Sequence, residues 1–316
     1  MKEQTKQLEE QHEIFPDEMF EIVGRKEDES EKINKPVLSN WQDGWLRLKQ
    51  NKAAIVSLFV IFIIVFLSFV GPYFNEYSYD QTDYDNVYSE PSKEHWLGTD
   101  KFGRDQWTRL WEGTRISLYI AVLAAVLDIM IGITYGAISA WKGGRVDNIM
   151  QRIIEVLVGI PNLIIIILLI MWMSPGIMTI MLAMVITGWV NMARLVRGQV
   201  FKLKTQEYVL ASRALGASTS RIILGHMLPN TFGIIIINLM FTIPSAIFTE
   251  AFLSFIGLGL QEPLASLGVL INDGYHAMRN QFYLLAYPAI VIVALMVSFN
   301  LLADGLRDAF DPRMRK

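Results

Sequence analysis

Residues 207–230 read EYVLASRALGASTSRIILGHMLPN, a polar stretch between two long apolar segments. One face of a helix is predicted by residues at i, i+3, i+4 and i+7, namely Tyr208, Ala211, Ser212 and Leu215. Gly216 is predicted to end this helix in the left-handed conformation, which a residue without a Cβ atom adopts at little cost. The stretch therefore predicts a compact helical knuckle at a membrane surface, with one apolar face exposed.

A second short helix is predicted after the glycine. Ser218 is placed to cap it, because its hydroxyl can accept a backbone N–H. An apolar stripe follows, formed by Ile223, Leu224, Met227 and Leu228. Pro229 is expected to interrupt the hydrogen-bond ladder before the next apolar segment.

The composition is that of a membrane protein. Of the 316 residues, 52% are hydrophobic, and they cluster in long runs. A net charge of −3 provides no basic surface for nucleic acid. The absence of cysteine excludes disulfides, thiolate metal sites and a cysteine nucleophile.

Six apolar segments are long enough to cross a bilayer core of roughly 30 Å as helices. They are residues 53–70, 116–140, 153–173, 177–193, 231–255 and 283–303. A kink is expected at Pro161 and a break at Pro244. Residues 41–52 are predicted to form an amphipathic elbow helix in the membrane interface. The predicted fold is an all-α membrane protein with six transmembrane helices, an N-terminal elbow helix and the helical knuckle of residues 207–230.

Changes in composition divide the chain into five parts. Residues 1–40 form a polar tail, which has too few apolar residues to order itself. The elbow helix and first span follow in 41–74, an extracellular loop in 75–115, and a five-helix core in 116–304. The core contains the knuckle within residues 194–230, and residues 305–316 form a second tail.

Two carboxylates fall inside apolar segments, where an unpartnered charge is costly. Asp128 and Glu250 are therefore candidates either for lining a water-filled path through the membrane or for structural contacts within the bundle, and Glu250 is also placed to satisfy backbone groups freed by Pro244. Gly132 and Gly136, four residues apart, predict that the second span approaches a neighbouring helix closely.

The distribution of basic residues predicts the orientation. Segments 41–52, 141–152, 194–221 and 305–316 together contain 16 Lys and Arg residues. Segments 71–115, 174–176 and 258–283 contain 6. The first set is expected to be cytoplasmic, which places both termini and the knuckle inside.

The knuckle sequence resembles the cytoplasmic coupling loop of ABC-importer permeases. That motif consists of EAA, three residues, Gly, nine residues, Ile, one residue and Leu-Pro. Matching positions are occupied by Ala211, Gly216, Leu228 and Pro229, whereas Leu210, Ser212 and His226 depart from the motif. These departures are typical of the oligopeptide/dipeptide/nickel branch.

Residues 97–118, LGTDKFGRDQWTRLWEGTRISL, resemble a signature of the C-type permease of the same branch. The segment 98–105 also imitates a phosphate-binding loop, but Arg104 stands where Lys is needed and Asp105 where Ser or Thr would hold Mg²⁺. We interpret the segment as structural. Its candidate ion-pair partners are Asp100, Arg104, Asp105 and Arg109.

The resemblance implies a type I ABC importer permease in the bacterial plasma membrane that carries oligopeptides or dipeptides. It implies a homologous second permease, two cytoplasmic ABC ATPases and an extracellular substrate-binding (lipo)protein as partners. ATP and Mg²⁺ would be bound by the ATPases, with no cofactor on this chain. The knuckle would sit in an ATPase groove and move as a lever. The residues implicated in that coupling are Glu207, Tyr208, Ala211, Ser212, Leu215, Gly216, Leu228 and Pro229.

Three alternatives remain open at this point. One is an importer of nickel or another small solute, which the same branch includes. Another is a secondary transporter with Asp128 or Glu250 as a proton site, although the sequence has no evident inverted repeat. An intramembrane enzyme is the third, but the four histidines are scattered and no HExxH or other metal-binding spacing occurs. We therefore predict neither a catalytic nor a metal site.

Overall fold

The computed structural model describes residues 40–310, and apart from one isolated bridge between Thr99 and Asp105 the regular structure in this range is helical. The α-helices are α1 (Asn40–Gln50), α2 (Lys52–Val70), α3 (Gln106–Lys142), α4 (Gly144–Gly159), α5 (Asn162–Met173), α6 (Ile177–Lys204), α7 (Glu207–Ala214), α8 (Thr219–Ile222), α9 (Leu228–Phe255), α10 (Leu267–Ala277) and α11 (Phe282–Phe310).

Five helical segments are long and apolar enough to cross a membrane. They are Lys52–Tyr73, Gln106–Lys142, Ile177–Lys204, Thr219–Phe255 and Phe282–Phe310. Together α4 and α5 form a sixth candidate span that is bent by 80°. The six predicted spans are thus present when the bent pair counts as one.

The bend has a local cause at Pro161. This residue has no N–H to donate to the helical ladder, and it disfavours the helical conformation of the residue before it. Ile160 is accordingly extended, with φ −92° and ψ 126°. The basic segment 141–152 is helical on both sides of Gly143.

Two other prolines behave differently from the prediction. Pro229 does not interrupt the chain, because residues 223–227 form a π-helical turn that leads directly into α9. The ladder shifts there to the i→i+5 pattern instead of ending. Pro244 lies buried inside α9 without breaking it, since packed neighbours and local adjustments satisfy the backbone groups that a proline frees.

The closest helix packing joins α3 to α6. A Cβ atom at Gly136 would lie 2.3 Å from the Ala193 carbonyl oxygen, and one at Gly132 would lie 2.6 Å from Met192 Cβ. Neither position has room for a side chain. The predicted close approach of the second span is therefore confirmed, and its neighbour is the fourth span.

Residues 71–105, called here the loop cap, fold onto the first turn of α3. The Asp100 carboxylate accepts a hydrogen bond from Arg104 Nε at 2.7 Å and lies 3.3 Å from Arg109 Nε. Asp105 instead lies 2.9 Å from His95 Nδ1 and caps α3 by accepting the Thr108 N–H. Three of the four predicted ion-pair residues thus meet one another, whereas Asp105 pairs with a histidine. Because α3 begins at Gln106, the last part of the predicted loop 75–115 is helical.

In the turn that imitates a phosphate-binding loop, backbone N–H groups form hydrogen bonds within the turn itself. Asp100 Oδ1 accepts the backbone N–H groups of Phe102 at 2.8 Å and Arg104 at 3.0 Å. These donors are therefore already occupied and cannot bind a phosphate, which agrees with the structural interpretation.

The neighbouring Lys101 ammonium group is subject to two opposing effects. Burial by itself would lower its pKa. Its bonds to Glu262 at 2.7 Å and Asp273 at 2.9 Å outweigh burial, so the pKa of Lys101 lies above its usual value.

The elbow helix α1 packs on α11 through Leu48, which contacts a cluster containing Leu302 and Ala309. Trp45 of the same helix is exposed. The predicted tail 305–316 begins inside α11, which continues to Phe310. Residues 1–39 and 311–316, with the tail that we expected to be disordered, lie outside the described residues.

Candidate functional site

The knuckle forms from short-range signals that the sequence displays. After α7, Gly216 has φ +79°, and the Ala217 N–H reaches the Ser212 carbonyl at 3.0 Å, which is the pattern of a helix closed by a left-handed residue. The Ser218 hydroxyl accepts the Arg221 N–H and caps α8. The predicted roles of Gly216 in ending α7 and of Ser218 in capping α8 are confirmed.

One side of the knuckle is buried and the other is open. Val209, Ile222 and Met227 pack into a cluster with residues of α6. On the opposite side Leu215 is 88% exposed, Leu210 51% and Tyr208 40%. An apolar surface of this kind at the tip of a helical hairpin is typical of a protein interaction site.

The eight predicted coupling residues differ in exposure. The exposed ones are Glu207, Tyr208, Ala211, Leu215, Gly216 and Pro229. Ser212 is half-buried and donates its hydroxyl hydrogen bond to the Tyr208 carbonyl at 2.7 Å. Leu228 is also half-buried and packs against the cluster beneath the knuckle. Ser212 and Leu228 therefore stabilise the conformation of the knuckle, and the exposed residues are better placed to contact another protein.

Two hydrogen bonds connect the knuckle to the C-terminal end of α3, one from the residues before α7 and one to α8. Lys204 Nζ, just before α7, donates to the carbonyl oxygen of Trp141 at 2.6 Å. Trp141 Nε1 in turn donates to Thr219 Oγ1 of α8 at 3.1 Å. Sequence analysis missed these contacts; the signal that could have found them was a lysine placed to meet the unpaired carbonyls at the end of another helix.

A second site is a cavity of about 520 Å³ between α3, α6, α9 and the bend of α4–α5. Its polar lining consists of Asp128, Asn162, Thr187, Asn191, Arg194, Asn238, Thr242, Ser245 and Thr249. Asp128 is 6% exposed, and its Oδ1 has no hydrogen-bond partner among the described residues. The cavity is thus a polar space at the middle of otherwise apolar helices.

Glu250 does not line this cavity. Its side chain is 0% exposed, and its oxygens accept hydrogen bonds from Ser117 at 2.7 Å and Ser254 at 2.8 Å. These serines belong to α3 and α9, so the carboxylate joins the two helices. The geometry does not support Glu250 as a residue that lines the translocation path, because its carboxylate oxygens already accept hydrogen bonds from the two serines.

No group of three or more His, Asp or Glu side chains able to hold a metal occurs in residues 40–310. The geometry offers instead a docking surface and a polar intramembrane cavity, linked by long helices. Residues 132–316, which contain the knuckle and three sides of the cavity, match the family "Binding-protein-dependent transport system inner membrane component". The chain belongs to this permease family. Residues 39–91 of the permease also match "N-terminal TM domain of oligopeptide transport permease C".

Close relatives cover almost the whole permease. It is 49% identical to the oligopeptide transport system permease protein OppC of Bacillus subtilis, over 96% of this chain and 99% of that protein. It is 48% identical to the dipeptide transport system permease protein DppC of the same species, over 97% and 96%. The Escherichia coli OppC protein is 40% identical over 90% and 95%.

A solved structure supports the fold. A chain of the MetNI methionine ABC transporter aligns with the permease at a TM-score of 0.52 and 19% identity, covering 63% of the permease and 95% of that chain. This similarity concerns the backbone fold alone. With the family match, it confirms a type I importer permease, a multi-pass inner-membrane component.

Proposed function

We propose that this permease carries oligopeptides or dipeptides into the bacterial cell as one of two homologous permease subunits. The observation that carries the proposal is identity of 48–49% with peptide permeases along nearly the entire chain. Two cytoplasmic ATPases bind ATP and Mg²⁺, and an extracellular binding (lipo)protein delivers the peptide. The chain itself supplies half of the path and the mechanical connection.

The connection runs through the knuckle. Leu210, Leu215 and Tyr208 present apolar surface to a groove on the ATPase, while α6 and α9 enter the bundle directly on either side. The hydrogen bonds from Lys204 and to Thr219 fasten the knuckle to the end of α3. Movement of the ATPases on ATP binding is therefore transmitted to three spanning helices that surround the cavity.

The proposed orientation places the knuckle in the cytoplasm and the loop cap outside. The segments on the knuckle side contain 16 Lys and Arg residues and those on the other side 6, an asymmetry that favours the basic side remaining inside. Both termini lie in the cytoplasm in this arrangement, and the loop cap faces the binding protein.

Co-purification and reconstituted transport test the proposal together. Leu215→Asp adds a charge to the exposed apolar face, and we expect loss of ATPase co-purification and a fall in peptide uptake of about tenfold or more, as for a central interface residue. Ser220→Asp adds the same charge on the exposed part of α8 and should change both much less.

Three results would contradict the proposed function. Leu215→Asp with normal ATP-driven uptake would exclude docking through this face. Uptake driven by a proton gradient without ATP would favour a secondary transporter. ATPase activity stimulated by a nickel-loaded binding protein, with no response to peptides, would favour the metal importer of the same branch.

A further inference from the structure

Asp128 is a buried ionisable group that lines the intramembrane cavity. It is buried to more than nine-tenths, yet Oδ1 has no hydrogen-bond partner in the described part of the chain. A Cβ atom placed on Gly188 would lie 2.1 Å from Oδ2, so the carboxylate rests directly on the backbone of α6. The absence of a side chain at Gly188 is what leaves space for it.

A buried carboxylate of this kind is costly unless a cation or hydrogen-bond donors approach it. Glu250, on the same bundle, shows the usual structural solution, since two serines donate to it. Asp128 has no equivalent donors in residues 40–310. Its geometry therefore resembles a binding group awaiting a ligand more than a completed structural contact.

The lining of the cavity that contains Asp128 offers oxygen acceptors in addition to this carboxylate. The bend at Pro161 ends α4 at Gly159, and the last carbonyl groups of a helix have no partners within it. Leu157, Val158 and Ile160 of this end line the cavity. The side-chain carbonyl oxygen of Asn162 already accepts the Thr187 hydroxyl at 2.7 Å. A ligand suited to this environment is a cation with several N–H donors.

A metal ion suits the site poorly. A bound divalent metal ordinarily has several carboxylate, imidazole or thiolate ligands, and no group of three or more such side chains occurs among residues 40–310. An ammonium group needs only one carboxylate and neutral oxygen acceptors, because it carries one charge and three donors.

Arg194 is the other charged side chain that lines the cavity. It follows Gly188 on α6 by six residues, which corresponds to about 9 Å along a helix. An extended dipeptide separates its terminal charges by roughly 7 Å. A peptide whose ammonium group lies at Asp128 can thus direct its carboxylate toward Arg194.

We propose that Asp128 binds the N-terminal ammonium group of the transported peptide as it crosses the cavity. The inference rests on the proposed peptide import and deepens it. Asp128 orients the peptide with its N-terminus at the middle of the bundle and its carboxylate toward the knuckle side, and Gly188 positions the carboxylate.

The test uses the two permeases and two ATPases of the proposed importer, purified together in nanodiscs without the binding protein. Binding of radiolabelled Ala-Ala-Ala, which has no cationic side chain, is measured by equilibrium dialysis and compared with competition by N-acetyl-Ala-Ala-Ala. We expect N-acetylation to weaken competition about tenfold or more in the wild type. Asp128→Asn should bind the free peptide about tenfold more weakly and lose the discrimination, while Asp128→Glu should retain part of it.

Glu155→Gln is the matched control, since it removes an exposed carboxylate of α4 that pairs with Arg152 outside the cavity. It should discriminate as the wild type does. Size-exclusion profiles and basal ATP hydrolysis show whether each complex has assembled.

The possible outcomes separate the two proposals. If Asp128→Asn still prefers the free amino terminus, or if it assembles poorly because a partner subunit's cation pairs with Asp128, the ammonium site is wrong while peptide import stands. A wild-type importer that neither binds nor transports any peptide would overturn both.

Discussion

Arg197 and Asp147 meet in a two-point ion pair, with Nε 2.6 Å from Oδ1 and Nη2 2.6 Å from Oδ2. The pair joins α6 to α4, two helices that border the cavity. Ser139 of α3 adds a third contact, since its hydroxyl lies 2.5 Å from Asp147 Oδ1. Three helices are thereby connected at the end of the bundle that carries the knuckle.

Loss of the Arg197–Asp147 ion pair should lower the stability of the folded permease. Arg197→Gln leaves the buried Asp147 carboxylate without its cation, and we expect a loss of stability of roughly 3 kcal/mol, at the lower end for a buried pair because Arg197 is partly exposed. Thermal unfolding of the purified complex measures it. Arg197→Lys keeps the charge but cannot make two parallel contacts, so it should recover only part of the loss. Equal stability of all three proteins would show that the pair contributes little.

The contact of α3 with α6 predicts a sharp difference between two glycines. Gly136→Ala forces a methyl group against the Ala193 carbonyl oxygen, 2.3 Å from the ideal Cβ position, and should destabilise the permease by about 1–3 kcal/mol. Gly198→Ala on α6 meets no atom within 4 Å and should be neutral or stabilising by up to about 1 kcal/mol. Both are measured by thermal unfolding in the same detergent. Similar effects at the two sites would contradict the close packing.

Gly216 allows the backbone conformation to be tested apart from side-chain size. Its φ is +79°, and no atom lies within 4 Å of the position that a Cβ atom would occupy, so only the backbone resists substitution. Gly216→Ala should reduce coupled ATP hydrolysis and uptake, because a left-handed alanine costs about 1–2 kcal/mol. Gly216→Asn should be milder, since asparagine adopts this region more readily.

Gly216→Pro provides the extreme case, because proline cannot adopt a positive φ at all. We expect membrane insertion to persist and ATP-driven uptake to be abolished. Normal uptake in this variant would exclude a rigid knuckle as the coupling element.

Glu250 should behave as a structural residue. Glu250→Gln keeps an oxygen that can accept the hydroxyl groups of Ser117 and Ser254, so uptake should fall by no more than a few fold. Glu250→Leu leaves both serines without their acceptor and should cost about 1–3 kcal/mol of stability for each buried group. Thermal unfolding and uptake are measured side by side. A stable Glu250→Gln protein with no transport would restore Glu250 to the translocation path.

Much of the fold follows from the sequence because the forces involved are local or depend only on composition. Long apolar runs predict the spans irrespective of what they contact. Gly216 and Ser218 end and begin helices through backbone conformation and a hydrogen bond three residues away. The prediction failed at Pro229, where a π turn replaces the expected break, because proline removes one donor without specifying how the ladder adjusts.

The roles of the two intramembrane carboxylates could be assigned only from the tertiary structure. In the sequence, Asp128 and Glu250 look alike, each a lone acid in an apolar run. Ser254 donates to Glu250 from the next turn of α9, and packing of α3 on α9 adds Ser117. Packing of α3 on α6 instead sets Asp128 against Gly188 beside a cavity. The sequence alone established that both charges need partners; only the arrangement of distant helices decided that one carboxylate is satisfied inside the chain and the other is not.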